Sequence, residues 1–134
     1  MLTFRDDLVA YVWFITAKSC NYESSLFITN IIVKTVLKFV HYALCLLFSN
    51  DLSPNVIFKG KPKIHHGIGI IVGSNTQFGC NVVIRGHVCL GEKKVGSLKG
   101  PIIGDNVQFG VGAKVFGSVV IKSNTFVKSN AIIS

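Results

Sequence analysis

The spacing of apolar residues divides the chain into two parts. Residues 26–48 are strongly apolar and contain neither glycine nor proline, which predicts a helix. From residue 52 onward a large apolar residue returns every sixth position, a period that neither a helix nor a simple strand produces. We therefore predict a short helical N-terminal segment over 1–50 and a different architecture over 51–134.

The six-residue spacing holds at thirteen positions and is interrupted twice. Its members are Leu52, Phe58, Ile64, Val72, Phe78, Ile84, Leu90, Ile103, Phe109, Val115, Ile121, Val127 and Ile133. Most are followed, four residues later, by a small or β-branched residue, as at Val56, Ile68 and Val82. This hexapeptide repeat predicts an all-β parallel β-helix, in which each block is one short strand and a turn. Three blocks close one coil, so about four stacked coils should bury the recurring residue as an inner column.

The two interruptions predict where the function lies. Eight residues separate Ile64 from Val72, so two extra residues enter at 67–71, beside the pair His65-His66. Thirteen residues separate Leu90 from Ile103, which predicts a loop over about 92–101 that leaves the stack of coils. Irregularities in a repeat stack tend to map to the functional face.

The charge is uneven along the chain, which bears on the ligand. The net charge is +8, and all of it lies in residues 58–134, where ten basic residues accompany two acidic ones. A basic domain favours an anionic ligand such as a phosphate group or a membrane surface, although solubility alone would also explain it. The lysines are not interleaved with aromatic side chains, so we predict no nucleic acid partner.

The cysteines and the first residues bear on location. The four cysteines have no metal-ligand spacing, which predicts free thiols, a cytoplasmic protein and no metal site. The sequence begins MLTFRDD, with acidic residues where a secretory signal carries basic ones, so we predict no cleavable signal peptide.

The apolar helix over 26–48 carries one polar stripe. Asn30, Lys34, Lys38 and His41 fall on the same side of it. Two lysines near the centre of the helix argue against a membrane span. We expect the helix either to pack on a partner subunit or to make peripheral contact with a membrane surface, and the sequence does not separate the two.

Two stretches resemble a known family. IHHGIGIIVGSNTQFGCNVVIRGHVCLG and the later GPIIGDNVQFGVGAKVFGSVVIKSN resemble the serine acetyltransferase branch of the left-handed β-helix, or hexapeptide-repeat, acyltransferases. They are most similar to the short members among capsule and O-antigen O-acetyltransferases. The resemblance covers 51–134 and implies a left-handed coil, a homotrimer, and acetyl-CoA bound between neighbouring prisms. The implied activity is acetyl-CoA-dependent O-acetyltransfer to a hydroxyl of a saccharide or of serine.

The resemblance also assigns catalytic residues. The family's catalytic histidine falls on His66, and the aspartate that orients it falls on Asp51, fifteen residues earlier. Counting blocks places both on one face of successive coils without bringing them into contact. A neutral imidazole takes the proton of an attacking hydroxyl, and a carboxylate on its other nitrogen fixes the tautomer. Each residue also has a structural explanation. His66 falls at a turn, and Asp51 lies in the stretch SNDLSP, whose residue types are typical of helix ends and turns.

Two departures from the family concern the acceptor. The serine enzymes have an aspartate where this chain has His65, and an Arg-His pair where it has Lys99-Gly100. We predict that His65 and Lys99 bind the acceptor, and the lost acceptor contacts favour a saccharide over serine.

The resemblance and the glycine content also indicate a cofactor-binding stretch. A compact glycine-rich turn lets a pantetheine arm approach the backbone, and lysines suit the phosphates. The residues predicted to contact acetyl-CoA are Gly91, Gly110, Gly112, Ala113 and Lys114. The competing hypothesis is a non-catalytic trimeric β-helix scaffold, against which the presence of both His66 and Asp51 counts.

Overall fold

Two helices precede a parallel β-helix in the computed structural model, which describes residues 4–20, 27–94 and 96–134. Helix α1 spans Phe4–Cys20 and helix α2 spans Phe27–Leu47. Residues 1–3 and 21–26, which the helical prediction also covers, and residue 95 of the predicted loop lie outside the described residues. Within the described residues thirteen strands follow: β1 Asp51–Leu52, β2 Ile57–Phe58, β3 Lys63–His65, β4 Ile71–Val72, β5 Gln77–Phe78, β6 Val83–Arg85, β7 Cys89–Gly91, β8 Ile102–Ile103, β9 Gln108–Phe109, β10 Lys114–Phe116, β11 Val120–Ile121, β12 Phe126–Val127 and β13 Ile132–Ile133.

The strands stack into three parallel sheets, which form the faces of a triangular prism. Sheet A has the order β1-β4-β7-β10-β13, and its neighbours in space are three strands apart in sequence. Sheet B has the order β2-β5-β8-β11, and sheet C has the order β3-β6-β9-β12. The result is a solenoid of about four coils that matches the left-handed β-helix, as predicted.

The recurring apolar residues form the predicted inner column. Twelve of the thirteen are buried and the last, Ile133, is half-buried. The register places Leu52 beside Val72, Val72 beside Leu90, and Leu90 beside Val115. Because each aliphatic side chain contacts its equivalents in the coils above and below, the column forms one continuous hydrophobic core.

The inward position shifts at the first interruption of the repeat. Val56, Val82 and Val88, each four residues after a member of the inner column, are buried, but Ile68 is 46% exposed and Ile70 is fully buried. The physical reason is the position of the two extra residues, which form a turn over 66–69 ahead of Ile70. In that turn the amide of Ile68 donates to the carbonyl oxygen of His66 at 2.8 Å. The turn therefore projects from the prism, and the regular coil resumes at Ile70.

Helix α1 covers the open end of the first coil. Trp13 is fully buried, and its Nε1 donates to the carbonyl oxygen of Ser53 at 2.8 Å. Its ring packs edge-on against Phe58 and Phe78, with centroid distances of 4.9 and 5.7 Å. The end of a solenoid exposes apolar surface unless something caps it. Trp13 supplies that cap, so α1 and the coils share one core.

Helix α2 turns its apolar face outward. On the other side of the helix His41 is buried, and its Nε2 donates to the carbonyl oxygen of Leu52 at 2.6 Å. Burial lowers the pKa of His41, and this hydrogen bond opposes the shift. No helix in the described residues is long and apolar enough to cross a membrane. The exposed large side chains of α2 are Ile31, Ile32, Val33, Val36, Phe39, Val40, Tyr42, Leu46 and Leu47.

Candidate active site

Three of the four histidines lie at or beside one edge of the prism, between sheets C and A. One turn from each coil lies there, and the turns are stacked. The amide of His87 donates to the carbonyl oxygen of Ile68 at 2.9 Å, and the amide of Gly112 donates to that of Gly86 at 3.0 Å. His66 therefore lies one coil below His87 and two below Gly112. We call this the histidine edge, formed by the turns over 66–69, 86–87, 110–113 and 129–130.

His66 has a left-handed backbone conformation. Its φ is 54° and its side chain is exposed. Asparagine, aspartate and histidine are the non-glycine residues most often found in this region, and His87, in the coil above, has a φ of 60°. Most other non-glycine residues with positive φ in the described chain are asparagines: Asn75, Asn81, Asn106, Asn124 and Asn130. The backbone alone would therefore also be served by asparagine, as the His66→Asn variant discussed below assumes.

Two buried polar side chains hold the turn that carries His66. Asp6, in the first turn of α1, accepts the backbone amide of His66 at 3.1 Å and that of Gly67 at 2.9 Å. Asn50 donates to the carbonyl oxygen of Gly67 and accepts the amide of Ile70, both at 2.9 Å. Neither Asp6 nor Asn50 was predicted as a site residue. A role for Asn50 could have been predicted, because it directly precedes Asp51 in a stretch rich in turn-forming residues.

Asp51 lies at the start of β1, where sheet A leaves the histidine edge. Its amide donates to the carbonyl oxygen of Ile70 at 2.8 Å, and its exposed carboxylate lines a cavity of about 380 Å³. Within the described residues no hydrogen bond or ion pair joins this carboxylate to His66. The orienting contact that the resemblance implies therefore stays a prediction. The other polar side chains of the cavity are Tyr42, Ser53, Asn55, Ser74 and Glu92.

His65 is half-buried at the end of β3, in register with Arg85. Burial, and then the positive charge of Arg85, lower the pKa of His65, whereas the Asp6 carboxylate acts in the opposite direction. The Arg85 side chain is held by its own bond to the carbonyl oxygen of Phe109 at 3.1 Å. The lowered pKa favours the neutral imidazole of His65, which can both donate and accept a hydrogen bond beside His66.

The glycines predicted to contact acetyl-CoA divide into two groups. A Cβ at Gly110 would collide with Ser129, and one at Gly112 would collide with Asn130. The close stacking of the last coil therefore explains both. Gly91 is different, because a Cβ there would meet nothing within 4 Å. Gly91 is nevertheless buried at the end of β7, so a ligand contact at this residue stays a prediction.

The other two predicted cofactor residues flank the upper part of the histidine edge. Ala113 is fully buried, so its contribution to a binding site is limited to its backbone. Lys114 opens β10 in sheet A and is half-buried, with its Nζ donating to the carbonyl oxygen of Gly112 at 3.4 Å. Lys114 is therefore the cation that the described chain places nearest to the stacked turns on sheet A.

Lys99 lies at a different edge of the prism. It belongs to the segment between β7 of sheet A and β8 of sheet B, and it lines a cavity of about 260 Å³. At the next position, a Cβ on Gly100 would lie 2.7 Å from the backbone carbonyl of Asn75. No side chain fits there without moving that backbone. A single chain therefore does not bring Lys99 together with His66.

The remaining features add no cofactor site. In residues 4–20, 27–94 and 96–134, no three His, Cys, Asp or Glu side chains are placed to hold a metal ion. The cysteines are free thiols. A larger, mostly apolar cavity of about 590 Å³ lies between α1 and β2, away from the histidines, and is lined by Phe14, Ile15, Lys18, Ser19, Val56, Ile57 and Phe58.

Comparison with known proteins supports the fold. No protein-family model and no curated protein matches the sequence. Among solved structures, soybean serine acetyltransferase superposes with a TM-score of 0.78 and 25% identity, over 98% of this chain and 52% of its own. Serine acetyltransferase 1 of Entamoeba histolytica superposes with a TM-score of 0.77 and 24% identity, over 98% of this chain and 48% of its own. The serine acetyltransferase of Brucella abortus in complex with coenzyme A superposes with a TM-score of 0.76 and 19% identity, over 96% of this chain and 48% of its own.

These neighbours are acyltransferases that carry the same helix-then-coil arrangement. The chain spans about half the length of the solved structures that it matches. The predicted resemblance to the serine acetyltransferase fold is therefore confirmed.

Proposed function

We propose that this protein transfers an acetyl group from acetyl-CoA to a hydroxyl, with His66 as the general base. The observation that carries the proposal is the state of His66. Its imidazole is exposed at a left-handed turn that two buried polar side chains hold in place. The fold match to serine acetyltransferases, which act by acetyl transfer, supports the same chemistry.

The proposed acetyl transfer needs one general base, and it involves no oxidation or reduction. His66 removes the hydroxyl proton while the oxygen attacks the thioester carbonyl carbon. The resulting tetrahedral intermediate collapses, the carbon–sulfur bond breaks, and the imidazolium returns the proton to the leaving thiolate. Asp51, at the start of β1, is the carboxylate proposed to orient the ring and to stabilise the imidazolium. We propose that the two side chains come into contact in the substrate-bound protein.

We propose a saccharide hydroxyl as the acceptor. Gly100 supports this choice, because the backbone of Asn75 leaves no room for the second histidine of the serine enzymes. The position that holds an aspartate in those enzymes is His65, whose neutral imidazole suits an uncharged hydroxyl better than an ammonium group. The two changes act in the same direction, away from an amino acid acceptor.

Acetyl-CoA is the proposed donor. The Brucella enzyme of the same fold is a complex with coenzyme A. In this chain Lys114 and the net charge of +8 favour an anionic ligand. The free cysteines agree with a cytoplasmic location, where this donor is made available.

We propose a homotrimer in which the acceptor site is shared between copies. Lys99 and His66 lie at different edges of one prism, so a site that uses both needs a second copy of the chain. The exposed apolar side chains of α2 are also proposed to meet another copy, since a large apolar patch on a protein surface marks an interaction site.

Sedimentation analysis is expected to show a trimer or a multiple of it. A stable monomer that is also active would contradict the shared site. Adding anionic vesicles to the same experiment distinguishes the second use of α2. Protein that pellets with the vesicles instead of associating with itself would assign the apolar face to peripheral membrane contact.

The activity is tested by following CoA release from acetyl-CoA in the presence of candidate acceptors. We expect release with at least one saccharide from a panel of bacterial surface sugars, and much less with serine. A strong preference for serine would overturn the proposed acceptor. If a folded and assembled protein released no CoA with any of the acceptors, that result would favour the non-catalytic scaffold.

A further inference from the structure

We infer that Asp6 is a positioning residue for His66, and hence that α1 is part of the catalytic unit rather than only a cap. The inference rests on the proposed function, since it concerns how the proposed base is held. Asp6 lies sixty residues before His66 in sequence, and yet its carboxylate binds the backbone of the turn itself. It does not contact the reacting atoms, so its effect passes through the turn.

The contact is a buried carboxylate in a small backbone nest. Each carboxylate oxygen of Asp6 accepts one backbone hydrogen bond: Oδ2 from the amide of His66 at 3.1 Å, and Oδ1 from the amide of Gly67 at 2.9 Å. Successive amides that converge in this way form an anion-binding concavity when one residue is left-handed, as His66 is. The Asp6 side chain is 2% exposed, so these bonds form in a medium of low dielectric.

Arg5 and Gly67 complete the arrangement. Arg5 pairs with the carboxylate at 3.0 Å from the solvent side, which balances the buried charge. A Cβ at Gly67 would stand 2.6 Å from Ile64 and 3.2 Å from the Asp6 Oδ1, so only glycine permits this approach. The backbone that orients the imidazole is thus fixed by α1 on one side and by Asn50 on the other.

The alternative is that Asp6 only fastens the helix to the coil. The two roles differ in what they predict below the melting temperature. A fastening residue lowers stability and leaves the turnover of the folded protein unchanged. A positioning residue lowers turnover in the folded protein too, because displacement of a catalytic group by about 1 Å costs up to roughly a hundredfold in rate.

The test is Asp6→Asn, with Asp7→Asn as the matched control. Asn keeps the size of Asp6 but presents an amide nitrogen to one of the two backbone donors. Asp7 is the adjacent carboxylate in the same helical turn, 52% exposed and paired with Lys61 at 3.5 Å. At a temperature where both variants are folded, Asp6→Asn should lower kcat roughly 10- to 100-fold and leave the KM for acetyl-CoA within about threefold. Asp7→Asn should match the parent, and Asp6→Glu, which restores the charge, should recover part of the loss.

A second measurement does not depend on activity. Hydrogen exchange at the amides of His66 and Gly67 should be at least about tenfold faster in Asp6→Asn than in Asp7→Asn. If the parent protein released no CoA with any acceptor, the proposed function would fail, while this measurement would still report whether Asp6 holds the turn. If Asp6→Asn does not fold, Asp6→Glu takes its place in both measurements. A folded variant with accelerated exchange and unchanged kcat, or with unchanged exchange, overturns the inference.

Discussion

Replacement of His66 by alanine is expected to lower the turnover number by roughly 10²–10⁴, because it removes the group that takes the hydroxyl proton. The affinity for acetyl-CoA should stay nearly unchanged, since the base acts on the acceptor. Steady-state CoA release gives the turnover number, and calorimetry with CoA gives the affinity.

The left-handed backbone at His66 calls for a second variant. Alanine is strained at a φ of 54°, so part of its effect could come from a rearranged turn. Asparagine adopts this conformation readily and is the residue at five of the seven other left-handed, non-glycine positions in the described chain. His66→Asn should therefore lose as much turnover as His66→Ala while it melts like the parent. Asp51→Asn should lose less than either, since it disturbs the orientation of the base without removing it. A His66→Asn protein with full turnover on the authentic acceptor would eliminate the mechanism.

Replacement of Val115 by aspartate is expected to unfold the C-terminal coils. Val115 is fully buried in the inner column, between Leu90 in the coil below and Ile133 in the coil above. An unpaired charge there has no polar partner, and its burial costs several kcal/mol, a large part of the roughly 5–15 kcal/mol that stabilises a domain. Urea or thermal unfolding followed by circular dichroism measures the loss.

Val120→Asp is the matched control for this change. Val120 lies in the next strand with its side chain 63% exposed on the outer face of sheet B. The same substitution there should leave the unfolding midpoint of the isolated chain close to that of the parent. Equal melting of Val115→Asp and the parent would mean that the register of the coils is wrong.

The coils were predictable from sequence because their energetics are one-dimensional. Each inner residue meets its equivalent in the neighbouring coil, so a period read along the chain becomes a contact in space. The period does not determine the conformation where it breaks. Ile68 and Ile70 are the same residue type two positions apart, and nothing in the pattern shows on which side of them the extra residues enter.

The site was predictable only in part. His66 was indicated by its place at the interruption and by the family motif, and the structure puts it at an exposed turn. Asp6 and Trp13 left no signal, because their contacts join α1 to coils that lie forty to sixty residues away, with no period to relate them. The relation of Lys99 to His66 depends on which edges of the prism they occupy, and that follows from the count of strands and not from local sequence.

The helical cap also limits how copies of the protein can associate with one another. A bare first coil would present a row of unpaired amide and carbonyl groups, and such an edge is a template for strands of other chains. Helix α1 lies on β2 and β3, and α2 lies on β1, so all three strands of that coil are covered. Copies are thereby prevented from stacking end to end on this side into a cross-β filament. The flanks of the molecule are thus left as the surfaces for the proposed homotrimer, a closed particle of fixed size.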